Sequence, residues 1–167
     1  ILVIGGMEVS TPYGEVLVWG LHEPVFDVRD VHELRRRVDK AGGVMVAAHP
    51  FRGAHSFIRW DPVEGMVPKI DEALRLPILK VVDAMEVFNG MAPVWELDLC
   101  SAVCDNLSMK GTGGSDAHNL EAVGDCVTVL KKRVTTEREF LEEMKAGRYY
   151  AQHRLLERVY PDNGSAP

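Results

Sequence analysis

The chain has 167 residues, of which 46% are apolar, enough for one packed domain. Its net charge of -6 argues against a nucleic-acid scaffold held by a basic surface, and no stable binding of duplex nucleic acid is expected, although a single substrate strand can still enter a metal site. No segment approaches the roughly 18 consecutive apolar residues of a membrane span, and the apolar opening at residues 1–7 is too short for a secretory signal, so a soluble, cytoplasmic protein with no membrane partner is expected.

Residues 1–4 form a continuous apolar run of the kind found in a buried parallel strand. The chain begins inside that run without an initiator Met, which leads us to expect a preceding segment. Ser10-Thr11-Pro12-Tyr13-Gly14 has turn chemistry, and residues 16–19 read as the next strand. Asp27 or Asp30 can cap a helix running to about Ala41, with Val31, Leu34 and Val38 on one face and Gly42-Gly43 stopping it. Residues 44–48 make a short apolar strand that ends at His49-Pro50. A loop of about a dozen residues follows, holding Arg52, His55, Arg59 and Trp60, and loops of that length are often functional.

Residues 67–76 read as a helix closed by Pro77, and residues 81–88 as a strand ending in Asn89-Gly90. Residues 93–107 suit a helix with Pro in its first turn. Residues 110–114 lead into Ser115-Asp116-Ala117-His118, and residues 126–130 form a further strand. A helix over residues 136–146 carries Glu137 and Glu139 early and Lys145 late, the polarity that suits its dipole, and residues 149–151 give a last short strand. From about Tyr160 the composition is that of a frayed tail. Strands alternating with helices imply a parallel α/β architecture, as an open sheet or a barrel.

Cys100, Cys104 and Cys126 suggest a reducing compartment rather than a disulfide framework. Cys100 and Cys104 lie four apart in a helical pattern; one buried helix face is the favoured reading over a zinc pair, because no CxxC spacing supports metal.

The polar residues fall where chemistry is expected. Glu8 follows the first strand, His49 ends another, Glu86 and Asn89 lie at the far end of a third, and Asp116 and His118 follow a fourth. Each is placed at the carboxyl end of a strand, the edge on which α/β proteins build active sites. Carboxylate and imidazole together suit zinc, manganese or iron. Two such ions about 3.5–4 Å apart can ionise a water and neutralise a phosphate in the transition state. Taken singly, Glu8 also reads as a solvated strand-end acid and His49 as a hydrogen-bonded core histidine. Gly-Ser-Asp-Ala-His, by contrast, is a poor turn for structure alone. Arg52, three residues after His49, reads equally as a phosphate fork or a surface arginine. His22 and His32 read as surface residues, and His55 and His153 stay undecided.

Five segments, in order, resemble the later motifs of the polymerase and histidinol phosphatase (PHP) superfamily. They are Gly6-Met7-Glu8-Val9-Ser10-Thr11, Gly14-Glu15-Val16-Leu17, Ala48-His49-Pro50-Phe51-Arg52, Glu86-Val87-Phe88-Asn89-Gly90 and Gly114-Ser115-Asp116-Ala117-His118-Asn119. The resemblance covers roughly residues 1–155, and residues 156–167 are set apart as a tail. It implies part of a distorted (β/α)7 TIM-like barrel whose N-terminal strands are missing, with up to three divalent metal ions (Zn, Mn or Fe) at the strand ends. It also implies metal ligation by Glu8, His49, Asp116 and His118, with Glu8 bridging; Arg52, near the same edge, is taken as the catalytic residue that steadies phosphate. The activity implied is metal-dependent hydrolysis of nucleotide, short-oligonucleotide or small phosphate esters by a metal-activated water.

The chain departs from the family pattern in three ways. The opening His-x-His and Asp-His motifs are not in this chain, so it alone lacks several ligands and is expected to be incomplete and inactive by itself. Glu15 stands where many members have histidine, so either the acid takes that role or one ion is bound differently. Asn89 is a neutral residue where some members have histidine. Two other readings stand beside the phosphoesterase: a non-catalytic PHP-like remnant that binds metal or assembles with a partner, and a hydrolase of carbon–nitrogen bonds, for which the expected lysine-derived bridging ligand is not evident.

Overall fold

The computed structural model describes residues 1–26, 28–52, 58–61 and 65–161, with only the backbone of residues 58–61 and 65–68. In chain order the elements are strands β1 (Gly6–Thr11) and β2 (Gly14–Trp19), helix α1 (Val31–Ala41), strands β3 (Val44–Ala47), β4 (Ile58–Asp61) and β5 (Gly65–Pro68), and the single turn α2 (Ile70–Ala73). A 3-10 turn at Pro77–Lys80 precedes β6 (Ala84–Asn89), α3 (Val94–Leu107), β7 (Lys110–Gly114), β8 (Cys126–Leu130), α4 (Glu137–Ala146), β9 (Tyr149–His153) and β10 (Arg158–Tyr160).

Local chemistry accounts for the helices. Asp30 caps α1 by accepting the His32 N–H at 2.8 Å, and Gly42 ends it with φ 72°, a left-handed conformation that glycine adopts without a Cβ penalty. Thr136 caps α4 by accepting the Glu139 N–H at 3.2 Å, and Gly147 closes it in the same way at φ 63°. Pro93 stands at the N-cap of α3, where its missing N–H costs nothing. Asp27, the other cap considered for α1, lies outside the described residues.

The sheet departs from expectation. Its order is β1-β2-β3-β6-β7; β1, β2 and β3 are antiparallel neighbours, and only β3-β6-β7 run parallel. A second, antiparallel sheet has the order β10-β9-β8. The (β/α)7 TIM-like barrel is therefore overturned: the protein is mixed α/β with open sheets, and no barrel closes among the described residues. The cause is local. Only Pro12 and Tyr13 separate β1 from β2, and a parallel connection needs a crossover of a dozen residues or more. Residues 1–5 precede β1 without strand structure, and Ile1, Leu2 and Val3 are exposed rather than a buried parallel strand.

Smaller differences follow. The loop after Pro50 contains the β4–β5 hairpin, and the helix expected over residues 67–76 contracts to α2. Strand β10, which pairs with β9, was not read from the sequence and falls within residues 156–167, of which 162–167 lie outside the described residues.

Strand β3 is buried on both faces, which its continuous apolar sequence requires. Met45 and Ala47 join the main core with α1 and α3, among them Val31, Leu34, Val38, Leu97 and Val103. Val44 and Val46 face the other way, against Met144 of α4, Tyr149 and the partly buried Leu17 and Trp19. The three cysteines are free and buried. Burial pushes the Cys100 thiol well up and those of Cys104 and Cys126 to about 12, so they pack as small apolar groups, as the helix-face reading has it. No helix among the described residues is long and apolar enough to cross a membrane.

Beneath α4, the wholly buried Glu143 carboxylate accepts from Arg148 at 2.8 and 2.6 Å and pairs with Lys132 at 2.8 Å. Arg148 first and Lys132 second lower its pKa from 4.5 to about 2. A carboxyl held low in the folded state adds stability above its ordinary value and loses it as pH falls through the folded one. Glu143→Gln is expected to lower the melting temperature at pH 7, with the deficit against wild type shrinking between pH 4.5 and about 2. Thermal melts of both proteins across that range check it; a deficit that stays constant contradicts the assignment.

Candidate metal centre

Strand pairing alone brings the first three side chains together. Glu8 is the register partner of Leu17 and Ser10 that of Glu15, so Glu8 and Glu15 are diagonal neighbours on one sheet face. Because β2 is antiparallel to β3, Glu15 at its start lies beside the carboxyl end of β3, and the Ala48 N–H bonds the Glu15 carbonyl at 3.0 Å. His49 follows directly. Its Nε2 lies 3.1 Å from Glu8 Oε1 and 3.6 Å from Glu15 Oε2, and its side chain is 6% exposed against 48% and 43% for the two acids. The ligand atoms of Glu8, Glu15 and His49 all lie within 4.8 Å of one another. Two carboxylates and an imidazole at that spacing fit a borderline divalent ion, and the half-exposed acids leave it a path to solvent.

Behind His49 stands a buried polar hub. Glu86 Oε2 accepts the His49 main-chain N–H at 3.0 Å and Asn89 Nδ2 at 3.1 Å. Residues three apart on a regular strand point to opposite faces, but the register of β6 against β7 shifts between Glu86 and Phe88. That bulge turns Glu86 and Asn89 to the same side. Glycines make the room: a Cβ on Gly114 would meet Glu86 Oε1 at 2.2 Å, and one on Gly90 would meet the Ser115 carbonyl at 2.4 Å. Burial pushes the Glu86 carboxyl up, while the His49 and Asn89 hydrogen bonds draw it down; burial prevails.

Asn89 passes the arrangement on. Its Oδ1 accepts from Arg52 Nη2 at 3.1 Å and from the Met91 N–H at 2.9 Å, and its Nδ2 lies 3.4 Å from Asp116 Oδ2. Arg52 Nη2 also makes a close ion pair with Asp116 Oδ2. Burial acts to raise the Asp116 carboxyl, but the Arg52 hydrogen bond and charge outweigh it, and the group sits below the usual range. His49 at φ 25° and Asp116 at φ 50° both adopt left-handed backbone, uncommon without glycine and costing on the order of 1–3 kcal/mol each where it is strained.

The five residues expected at the site are thus placed unequally. Glu8 and His49 touch; Asp116 and Arg52 pair with each other and join His49 through Asn89 and Glu86. His118 lies on the exposed side, its Nδ1 2.8 Å from the Asp116 carbonyl and 3.8 Å from Asp116 Oδ1. Glu15, whose role the sequence left open, joins the cluster. Glu96, in the first turn of α3, was not anticipated: it is 2% exposed, and its Oε1 has no hydrogen-bond partner among the described residues. Burial raises its carboxyl against the pull of Arg52 and His49. Acidic residues in a first helical turn are common, so only an account of what covers α3 could have found it.

Among the other histidines, His22 is exposed and pairs with Glu137 at 3.2 Å, His32 is exposed, and His153 is buried edge-on to Phe88. His55 lies outside the described residues.

The fold and site define a mixed α/β protein with a carboxylate–imidazole cluster at a sheet edge. The model of the PHP-associated family matches residues 96–149, from Glu96 in α3 to Tyr149 in β9, and this match relates the chain to the PHP superfamily. The matched segment contains Asp116 and His118 but not Glu8, Glu15, His49 or Arg52. No curated protein matches the chain.

The hub makes a testable demand. Glu86→Ala leaves the buried His49 N–H without an acceptor and the Asn89 amide with only its longer bond to Asp116 Oδ2, a loss of about 1–3 kcal/mol. Urea denaturation checks it; a change below about 0.5 kcal/mol would remove Glu86 from this role.

Proposed function

We propose that this chain carries the metal-binding edge of a phosphoesterase, with phosphomonoesters or phosphodiesters, such as nucleotides or short oligonucleotides, as substrates. The observation behind this reading is the approach of Glu8, Glu15 and His49 to within 4.8 Å, joined through Glu86 and Asn89 to Asp116 and Arg52. Glu8, Glu15 and His49 would hold one divalent ion (Zn, Mn or Fe), and Asp116 with His118 would offer ligands for a neighbouring one. Bound there, such ions supply Lewis-acid chemistry: they ionise a water and offset the charge that builds on a phosphoryl group.

The chain's own residues do the rest. Glu86 holds the His49 backbone, so that its imidazole faces the two acids. Asn89 fixes the height of Arg52 against Asp116. The half-exposed Arg52 guanidinium, a planar fork of donors, is the group suited to engage phosphate oxygens at the mouth of the site. Three free, buried thiols suit a reducing, cytoplasmic setting.

A second reading has its own observation. His118 is 72% exposed and Asp116 is committed to Arg52, so the ligand set beyond Glu8, Glu15 and His49 is not assembled. A non-catalytic module that binds one ion or ligand is consistent with that.

Calorimetric titration with Mn2+ and Zn2+, followed by assay on a broad panel of phosphate esters, separates the two readings. The phosphoesterase reading expects metal binding that falls at least about tenfold in Glu15→Gln, and metal-dependent turnover of some panel member by a preparation that also supplies the opening His-x-His and Asp-His ligands. Binding that depends on Glu15 without any turnover supports the module; binding unaffected by Glu15→Gln contradicts the centre described here.

A further inference from the structure

The two halves of the site differ in charge. Glu8 and Glu15 are diagonal neighbours across β1 and β2, and the His49 Nε2 lies 3.1 Å from the one and 3.6 Å from the other. Asp116, by contrast, already has a cation in direct contact: Arg52 Nη2 reaches its Oδ2 and, through the same nitrogen, Asn89 Oδ1. The Arg52 main chain is held in a turn by its N–H bond to the His49 carbonyl at 3.0 Å, while its side chain is 41% exposed. A fixed backbone with a half-solvated, long side chain can swing its charged end without unfolding anything.

Resting on the metal-centre reading above, we infer that Arg52 is a stand-in cation: its guanidinium neutralises Asp116 until a divalent ion takes that carboxylate, and is then released to the phosphate of the substrate. Occupancy of the site is consequently ordered. The first ion goes to Glu8, Glu15 and His49, whose ion pairs among the described residues are with one another. The second must displace Arg52 from Asp116 and binds more weakly by the strength of that pair. A partly exposed, charge-assisted pair is strong enough to matter and weak enough to exchange.

The exchange couples ion to substrate. A phosphate offers the displaced guanidinium a new acceptor, so phosphate lowers the cost of removing Arg52 from Asp116. By linkage, phosphate then tightens the second ion and the second ion tightens phosphate by the same factor. One neighbour keeps the released fork near the site: Asn89 Oδ1, which the same nitrogen already contacts. Arg52 is thus the part of the site that reads whether both ion and phosphate are present.

Titration of the full chain with Mn2+, with free ion followed by electron paramagnetic resonance, tests this in the presence and absence of inorganic phosphate. Wild type is expected to bind one ion tightly and a second weakly, with phosphate tightening the second. Arg52→Met should tighten the second ion about three- to tenfold in the absence of phosphate and abolish the phosphate effect, leaving the first ion unchanged. Arg52→Lys, which keeps the charge without the fork, should fall between, and guards against a folding defect in Arg52→Met. Second-ion affinity that is unchanged or weaker in both variants overturns the inference, as does a phosphate effect that survives in Arg52→Met. Wild type that binds no ion at all overturns the metal-centre reading with it, an outcome distinct from binding that ignores Arg52.

Discussion

The Glu86 carboxylate, buried where β6 bulges, accepts the His49 N–H and the Asn89 amide, and the polar groups of the site take their positions from those two bonds. A carboxylate in such a place is unfavourable unless its oxygens find donors, and here both donors belong to the site. His49, with its left-handed backbone, is anchored by its main-chain N–H, which leaves the imidazole to face Glu8 and Glu15. Asn89 is anchored by its amide, which leaves its carbonyl oxygen to hold Arg52. Backbone strain at His49 and Asp116 persists because the surrounding bonds hold it in place.

The charge pattern gives the same edge two characters. On the β1–β2 side, acids gather around one imidazole, and among the described residues their ion pairs are with that imidazole alone. On the β7 side, Asp116 is already neutralised. A site of that kind is poised rather than saturated: cations are favoured at one end and exchangeable at the other. The match of residues 96–149 to the PHP-associated family concerns the β7 side, whereas the clustered ligands lie on the β1–β3 side. Sequence relationship and geometry therefore bear on different halves of the same edge and do not duplicate each other.

Much of the local structure was legible in the sequence because its causes are local. Asp30, one of the two caps considered, caps α1 and Gly42 ends it, α4 falls within the expected residues 136–146, and the apolar run of β3 forms the expected short strand. Pairing direction was not legible. The apolar run at residues 1–4 suggested a parallel strand, yet whether a strand returns antiparallel is decided by the two-residue Pro12-Tyr13 turn and by partners distant in sequence. The barrel expectation fell with that turn. Glu8 and His49 were singled out for standing near strand ends, and the structure brings their side chains into contact, although Glu8 does so from inside β1. Glu15 escaped assignment because its closeness to Glu8 is a diagonal across a hairpin, visible only once register is known. The roles of Glu86 and Asn89 depend on a bulge that no spacing rule announces.

The central claim is that Glu8, Glu15 and His49 share one cation. The most direct measurement is anomalous scattering from crystals grown with Mn2+, which locates the ion without reference to activity. A peak is expected about 2.0–2.2 Å from a carboxylate oxygen of Glu8, one of Glu15 and a ring nitrogen of His49. A Mn2+ peak bound elsewhere, or density that leaves the His49–Glu8 contact closed over empty space at saturating metal, contradicts it.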